Sequence, residues 1–171
     1  MSGLEIERKL LVRLVGDPAA EPGARTLELE QAYLADTGSG TRRIRRTVED
    51  GVARYHLNAK REVSPGVREE DEREIEAAEY DALGTERDPA RRPVCKTRYA
   101  VPFGGHRWEI DVFAGALAGL VVAEVEHATV EELGHDLAPP PCLVIVRDVT
   151  DDRRYANAAL ARLDCQLGRQ G

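Results

Sequence analysis

The chain has 171 residues, of which 42% are apolar and 32% charged, with a net charge of −7. That is enough apolar content for one core, so a single domain over residues 1–171 is expected. An acidic balance with no global basic field argues against general nucleic-acid binding, and no apolar run approaches a membrane span or a signal-peptide core. Cys95, Cys142 and Cys165 show no metal spacing, and an odd number without pattern fits reduced thiols in a cytoplasmic protein. The four histidines, His56, His106, His127 and His135, likewise lack zinc spacing.

In chain order, residues 3–13 read as a strand and 14–26 as a Gly/Pro-rich connection. Strands follow over 27–36, 41–49, 52–61 and 67–76, separated by "DTGSG", "EDG" and "SPG", which are turn sequences. A short helix over 77–84 ends at Gly84. Three more strands are expected over 93–102, 105–114 and 119–128, the first two joined as a hairpin by "PFGGH". "HDLAPPPC" reads as a loop. "TDDRRYANAALARLDCQL" reads as a terminal helix, with Tyr155, Ala159, Leu160, Leu163 and Leu167 on one stripe.

The stretch "LEIERKLLV" carries the first functional signal. In a strand, Glu5, Glu7 and Lys9 share one face. The pattern repeats along the chain. Arg43 and Arg45 share a face. So do Lys96 and Arg98, Glu109 and Asp111, and Glu124 and Glu126. Glu70, Glu72 and Glu74 do the same, and Lys60 ends its strand in line with Asn58. The opposite parity holds Ile6, Ile44, Leu57, Ile110, Val112, Ala123 and Val125. An ordinary sheet with a solvated polar face would intersperse charge signs. Here the charges come mostly in blocks of one sign per strand. A closed or nearly closed antiparallel barrel, with its charged face lining a lumen and its apolar face under short helices, accounts for both parities.

A lumen with both signs is costly unless the charges pair or meet a ligand. Carboxylates suit hard divalent cations, Mg²⁺ or Mn²⁺, and Lys and Arg suit phosphate oxygens. Together they describe a site for a small polyanionic phosphate and its metal ions.

The residues also carry a family resemblance. "EIERK" at 5–9 resembles the ExExK signature of the CYTH superfamily, the triphosphate tunnel metalloenzymes. "QAYL", "RRIR", "LNAK", "REEDEREI", "KTRY", "GGHRWEIDVF", "GLVVAEVE" and "VTDDRRYANAAL" follow in the family's order and are similar to its compact bacterial branch. "LNAK" departs from the usual Thr and branched residue before that lysine, and "QAYL" has Ala for a common Gly. The resemblance implies an eight-stranded antiparallel tunnel with outer helices and a C-terminal helix. It implies that Glu5, Glu7, Glu124 and Glu126 hold the main divalent cation. Asp111 joins the metal-binding set, and Glu70, Glu72 and Glu109 serve a second ion or position water. Lys9, Arg43, Arg45, Lys60, Lys96 and Arg98 cradle the triphosphate. Two ions, Mg²⁺ or Mn²⁺, are expected. Either a metal-activated water attacks, or Lys96 or Lys60 positions or deprotonates that water.

Aromatic residues make up only 5% of the chain. Trp108, Tyr99 and Tyr55 fall on the outer parity, and Tyr33 is the main lumen candidate. A lumen poor in aromatics favours inorganic tripolyphosphate. The alternatives are a class IV-type adenylate cyclase, a thiamine or nucleoside triphosphatase, and a non-catalytic polyphosphate-binding domain. A homodimer is one allowed assembly.

Overall fold

The structure is a computed structural model describing residues 6–36, 38, 40–64, 67–127, 137–165 and 167, with the backbone alone at Ile6, 62–64 and 67–70. Nine strands form one antiparallel sheet: β1 (Ile6–Leu14), β2 (Arg25–Tyr33), β3 (Thr41–Glu49), β4 (Val52–Ser64), β5 (Val67–Ile75), β6 (Val94–Phe103), β7 (His106–Phe113), β8 (Val121–His127) and β9 (Leu143–Asp148). Helix α1 (Ala77–Gly84) follows β5, and the four-residue α2 (Asn157–Leu160) lies near the C-terminus. No helix among the described residues is long and apolar enough to cross a membrane.

Turn chemistry sets the hairpins. Between β3 and β4, Asp50 (φ 50°) and Gly51 (φ 78°) are both left-handed, and Glu49 pairs with Val52. Between β6 and β7, Gly104 and Gly105 do the same, and Phe103 pairs with His106. Two-residue turns with positive φ at both positions match the twist of the flanking strands.

The sheet order is β5-β4-β3-β2-β6-β7-β8-β1-β9. The expected closed eight-stranded barrel is corrected here to a nine-stranded sheet with no ladder joining its two ends among the described residues. The reason is β9. "LVIVRD" pairs antiparallel with β1, and β8 takes the other edge of β1. β9 therefore takes the Leu10–Leu14 part of the edge on which the ring would close. β9 was missed in the sequence because its short apolar run follows a Pro-rich loop.

The sheet is nonetheless curled. Side chains from eight of its strands line one cavity. The convex face buries Leu10, Val101, Trp108, Ile110, Ala123 and Val125 with Cys142 and Leu143. A second outer cluster packs Ala32, Leu34, Ile44 and Ile75 under Tyr80 of α1. The third cluster lies on the concave parity. Tyr33, Val94, Phe113 and Val122 continue the same strand faces as Gln31, Lys96, Asp111 and Glu124, and they pack against Val149, Tyr155, Leu160 and Ala161. The concave face is thus charged along one part and apolar along the rest, and the C-terminal segment seals the apolar part.

That segment is not the expected long helix. Asp152 caps a single 3-10 turn, Arg153–Tyr155, and Ala156 is extended (φ −68°, ψ 139°) before α2. Beyond α2, the Arg92 guanidinium donates to the carbonyls of Arg162 and Cys165, at 2.5 and 3.2 Å. Carbonyls drawn to a side chain do not propagate a helix. Leu163, placed on the helical stripe by its spacing, is 61% exposed.

Candidate active site

The concave face encloses a cavity of about 390 Å³ lined by Glu7, Leu29, Gln31, Arg43, Arg45, Lys60, Glu72, Lys96, Arg98, Arg107, Glu109, Glu124, Glu126 and Asn157. Another depression of similar size draws only on adjoining parts of β4, β5 and the start of α1. The concave cavity instead gathers charges from strands distant in sequence. Period-two alternation puts them there: each lining pair is i, i+2 on its strand.

The charges are sorted across the sheet. Glu72 stands on β5, the cations Lys60, Arg43 and Arg45 on β4 and β3, and neutral Leu29 and Gln31 on β2. Lys96 and Arg98 follow on β6, and the acids Glu109, Glu124, Glu126 and Glu7 on β7, β8 and β1. The cavity is therefore mostly cationic on β3, β4 and β6 and mostly acidic on β7, β8 and β1, with Arg107 on β7 and Glu72 on β5 as the exceptions.

On the β6–β8 side the charges are buried and tightly paired. Lys96 Nζ bonds Asp111 Oδ2. Arg98 donates from Nε to Asp111 Oδ1 at 2.7 Å and from Nη2 to Asp111 Oδ2 at 2.8 Å. Its Nη1 bonds Glu109, and Nη2 lies 3.5 Å from Glu124. Lys9 Nζ is 3.0 Å from the other Glu124 oxygen. Burial pushes the Lys96 ammonium below the ordinary lysine value; Asp111 pulls it back up, and Arg98 adds to the lowering. Burial alone would raise the Asp111 carboxyl, but Lys96 and Arg98 outweigh it and hold the group below the ordinary carboxylate value. Burial also opposes the Arg98 charge, and hydrogen bonds to Asp111 overturn that and raise its pKa.

On the β3–β5 side contacts are looser. Arg45 Nη2 donates to Glu72 Oε1 at 2.8 Å, and Asn58 Nδ2 donates to Glu72 Oε2 at 3.3 Å. Arg43 and Lys60 line the cavity on neighbouring strands. Register sets Glu70 opposite Lys60; its side chain, like all of Glu5, lies outside the described residues.

The carboxylate bank suits a hard divalent cation. Glu7 and Glu126 face each other directly in the β1–β8 ladder and both line the cavity, with Glu124 two residues along. Like charges directly opposite destabilise a ladder, and a cation between them offsets that. The donors are all oxygen, as Mg²⁺ or Mn²⁺ prefers. Among the described residues no group of three His, Cys, Asp or Glu side chains forms a ready-made cluster. Asp111, expected among the metal carboxylates, is 2% exposed and bonded to the lining residues Lys96 and Arg98, and is not itself in the lining.

Four lining residues escaped the sequence reading. Gln31 shares the parity of Tyr33, and Arg107 stands two before Glu109; either could have been found by extending the parity count. Leu29, two before Gln31, shares that parity as well, whereas Asn157 carried no such signal. Tyr33 is not in the lining. It is buried in the apolar part, where Gln31 Nε2 donates to its hydroxyl at 3.2 Å and Arg91 stacks 4.8 Å from its ring centre. Among the described residues, the lining contains no aromatic side chain.

No family model matches the chain. It is 34% identical over 158 residues to an inorganic triphosphatase of Nitrosomonas europaea, covering 92% of this chain and 96% of that protein. It is 31% identical over 160 residues to an inorganic triphosphatase of Acetivibrio thermocellus, covering 94% of each. The crystal structure of an inorganic triphosphatase superposes with a TM-score of 0.69 at 33% identity, covering 94% of this chain and 95% of that one.

Proposed function

This chain belongs to the CYTH-type triphosphatases, and from that premise we propose that it hydrolyses inorganic tripolyphosphate to pyrophosphate and phosphate, with Mg²⁺ or Mn²⁺. The observation that carries the reading is the sorted cavity, cations on β3, β4 and β6 facing carboxylates on β7, β8 and β1, without an aromatic platform. A base or thiazole ring has nothing to stack on there, whereas a bare polyphosphate needs only charge.

Arg43, Arg45 and Lys60 replace the water shell of the phosphate oxygens, Arg by forked donation. Lys96 and Arg98 extend that cradle across β2. Glu7, Glu124 and Glu126, with Glu5, would hold a divalent cation, which supplies charge neutralisation and an activated water when bound. Glu72 and Glu109 flank the cradle where a second ion or an ordered water would sit, and Glu70 is assigned the same role. The curled sheet acts as the tunnel wall, and Lys9 balances Glu124 until substrate and metal enter. Phosphoryl transfer needs positioning and charge neutralisation more than a protein nucleophile. The cavity provides both.

The test is phosphate release from tripolyphosphate, ATP, thiamine triphosphate and pyrophosphate, with Mg²⁺, Mn²⁺ or excess chelator. Fastest turnover on tripolyphosphate, abolished by chelator and strongly lowered by Glu124→Gln, is expected. Full activity in chelator, or cyclic AMP formed from ATP faster than phosphate is released, overturns the reading.

A further inference from the structure

Resting on that reading of the cavity, we propose that Asp111 is a positioning residue that fixes Lys96 and Arg98 against the triphosphate, and is not a ligand of the divalent cation. The first ground is placement. Asp111 does not line the cavity, and its side chain is 3% exposed. The second is valence. Oδ1 accepts from Arg98 Nε, and Oδ2 accepts from both Arg98 Nη2 and Lys96 Nζ. Three of the roughly four lone-pair sites of the carboxylate are thus taken by cations, both of those on Oδ2 included.

The consequences for the two cations differ. An ammonium has three N–H donors. Asp111 takes one, which aims the others into the cavity that Lys96 lines. The guanidinium of Arg98 is locked flat: two nitrogens bear on Asp111, and Nη1 bears on Glu109. Arg98 therefore serves as a rigid member of the wall. Its ordered charge supports Lys96 and faces Glu124. Without Asp111, Lys96 becomes a flexible four-carbon stem, and Arg98 is drawn towards Glu109 and Glu124. A misplacement of this kind at a reacting centre lowers rate as well as binding.

Positioning and simple charge balance predict opposite signs. If Asp111 only offsets positive charge, Asp111→Asn makes the cavity more positive and tightens polyanion binding. If it positions, the same change loosens it. Three measurements on Asp111→Asn decide: calorimetric titration with tripolyphosphate in metal-free buffer, Mn²⁺ titration followed by water-proton relaxation, and steady-state kinetics. We expect tripolyphosphate affinity to fall on the order of tenfold to a hundredfold, kcat to fall as well, and Mn²⁺ affinity to fall far less than in Glu124→Gln. Unchanged or tighter tripolyphosphate binding overturns the proposal. So does a loss of Mn²⁺ affinity equal to that of Glu124→Gln. Arg98→Lys provides a second arm should the Asn variant not fold, because it keeps the charge and removes the fork. Weakened tripolyphosphate binding there supports positioning, and wild-type binding refutes it. A wild-type protein that neither binds nor hydrolyses tripolyphosphate overturns the functional reading itself, an outcome separable from both variants.

Discussion

The two cation banks of the cavity are built on opposite principles. On β6 and β7, the Lys96 and Asp111 side chains are 6% and 3% exposed and joined to Arg98 in one network. On β3 and β5, the Arg45 and Glu72 side chains are 28% and 39% exposed and meet by a single contact. A buried charge is expensive to leave alone, so the first bank is strongly coupled to folding. A solvated pair contributes little to stability and remains free to change partners. One bank gives the cavity its shape, and the other is suited to exchanging a carboxylate for a phosphate.

The largest expected effect breaks the buried bank. Asp111→Ala leaves two cations without their shared carboxylate and should cost about 3–5 kcal/mol, a large fraction of a typical domain's stability. Urea denaturation followed by circular dichroism measures it; a loss no larger than that of a surface mutant would erase the distinction between the banks.

The solvated bank should respond the other way. Arg45→Ala should cost less than about 1 kcal/mol in the same denaturation. It should nonetheless weaken tripolyphosphate binding by about 1.5–3 kcal/mol, the worth of a charged hydrogen bond. Calorimetry at two salt concentrations sharpens the contrast, since screening reaches the exposed pair more than the buried one.

Acid provides a third test. Asp111 is held below its ordinary carboxylate value in the fold, with Lys96 and Arg98 overcoming burial. Its contribution is therefore fully present above about pH 4, the ordinary value, and is lost as pH falls through the folded one. Wild-type stability should drop through that window more steeply than that of Asp111→Asn, measured by melting temperature against pH.

The smallest effect lies outside the cavity and serves as a control. Burial of Tyr80 in the α1 cluster, aided by nearby Glu30, pushes its hydroxyl up to about 12. A raised acid adds stability below its ordinary value of about 10, lost as pH rises towards the folded value. Ultraviolet titration should show a late phenolate component that Tyr80→Phe reduces, buried Tyr33 supplying the rest, with tripolyphosphate affinity unaltered. A change in affinity there would show that the banks are coupled to the outer cluster.

Alternation by itself was enough to assign most of the cavity. Arg43, Arg45, Lys60, Lys96, Arg98, Glu109, Glu124 and Glu126 occupy one parity in the sequence and one cavity in the structure, because a strand's period of two leaves a side chain no third direction. The hairpin glycines were legible for a similar local reason: positive φ at Gly51, Gly104 and Gly105 is cheap only without a Cβ. What needed the tertiary structure was every property that depends on neighbours in other strands. Parity puts Asp111 beside Glu109, but only the β6–β7 register puts it opposite Arg98 and within reach of Lys96. Tyr33 has lumen parity, yet the packing of Val149, Tyr155 and Leu160 turns its end of the concave face into core. The terminal helix failed because a helical stripe in the sequence cannot register that Arg92 captures the carbonyls of Arg162 and Cys165. The open sheet was equally invisible. The pairing of β9 with Leu10–Leu14 of β1 is a long-range choice that buries Leu143 with Leu10 and Val12 in the outer core.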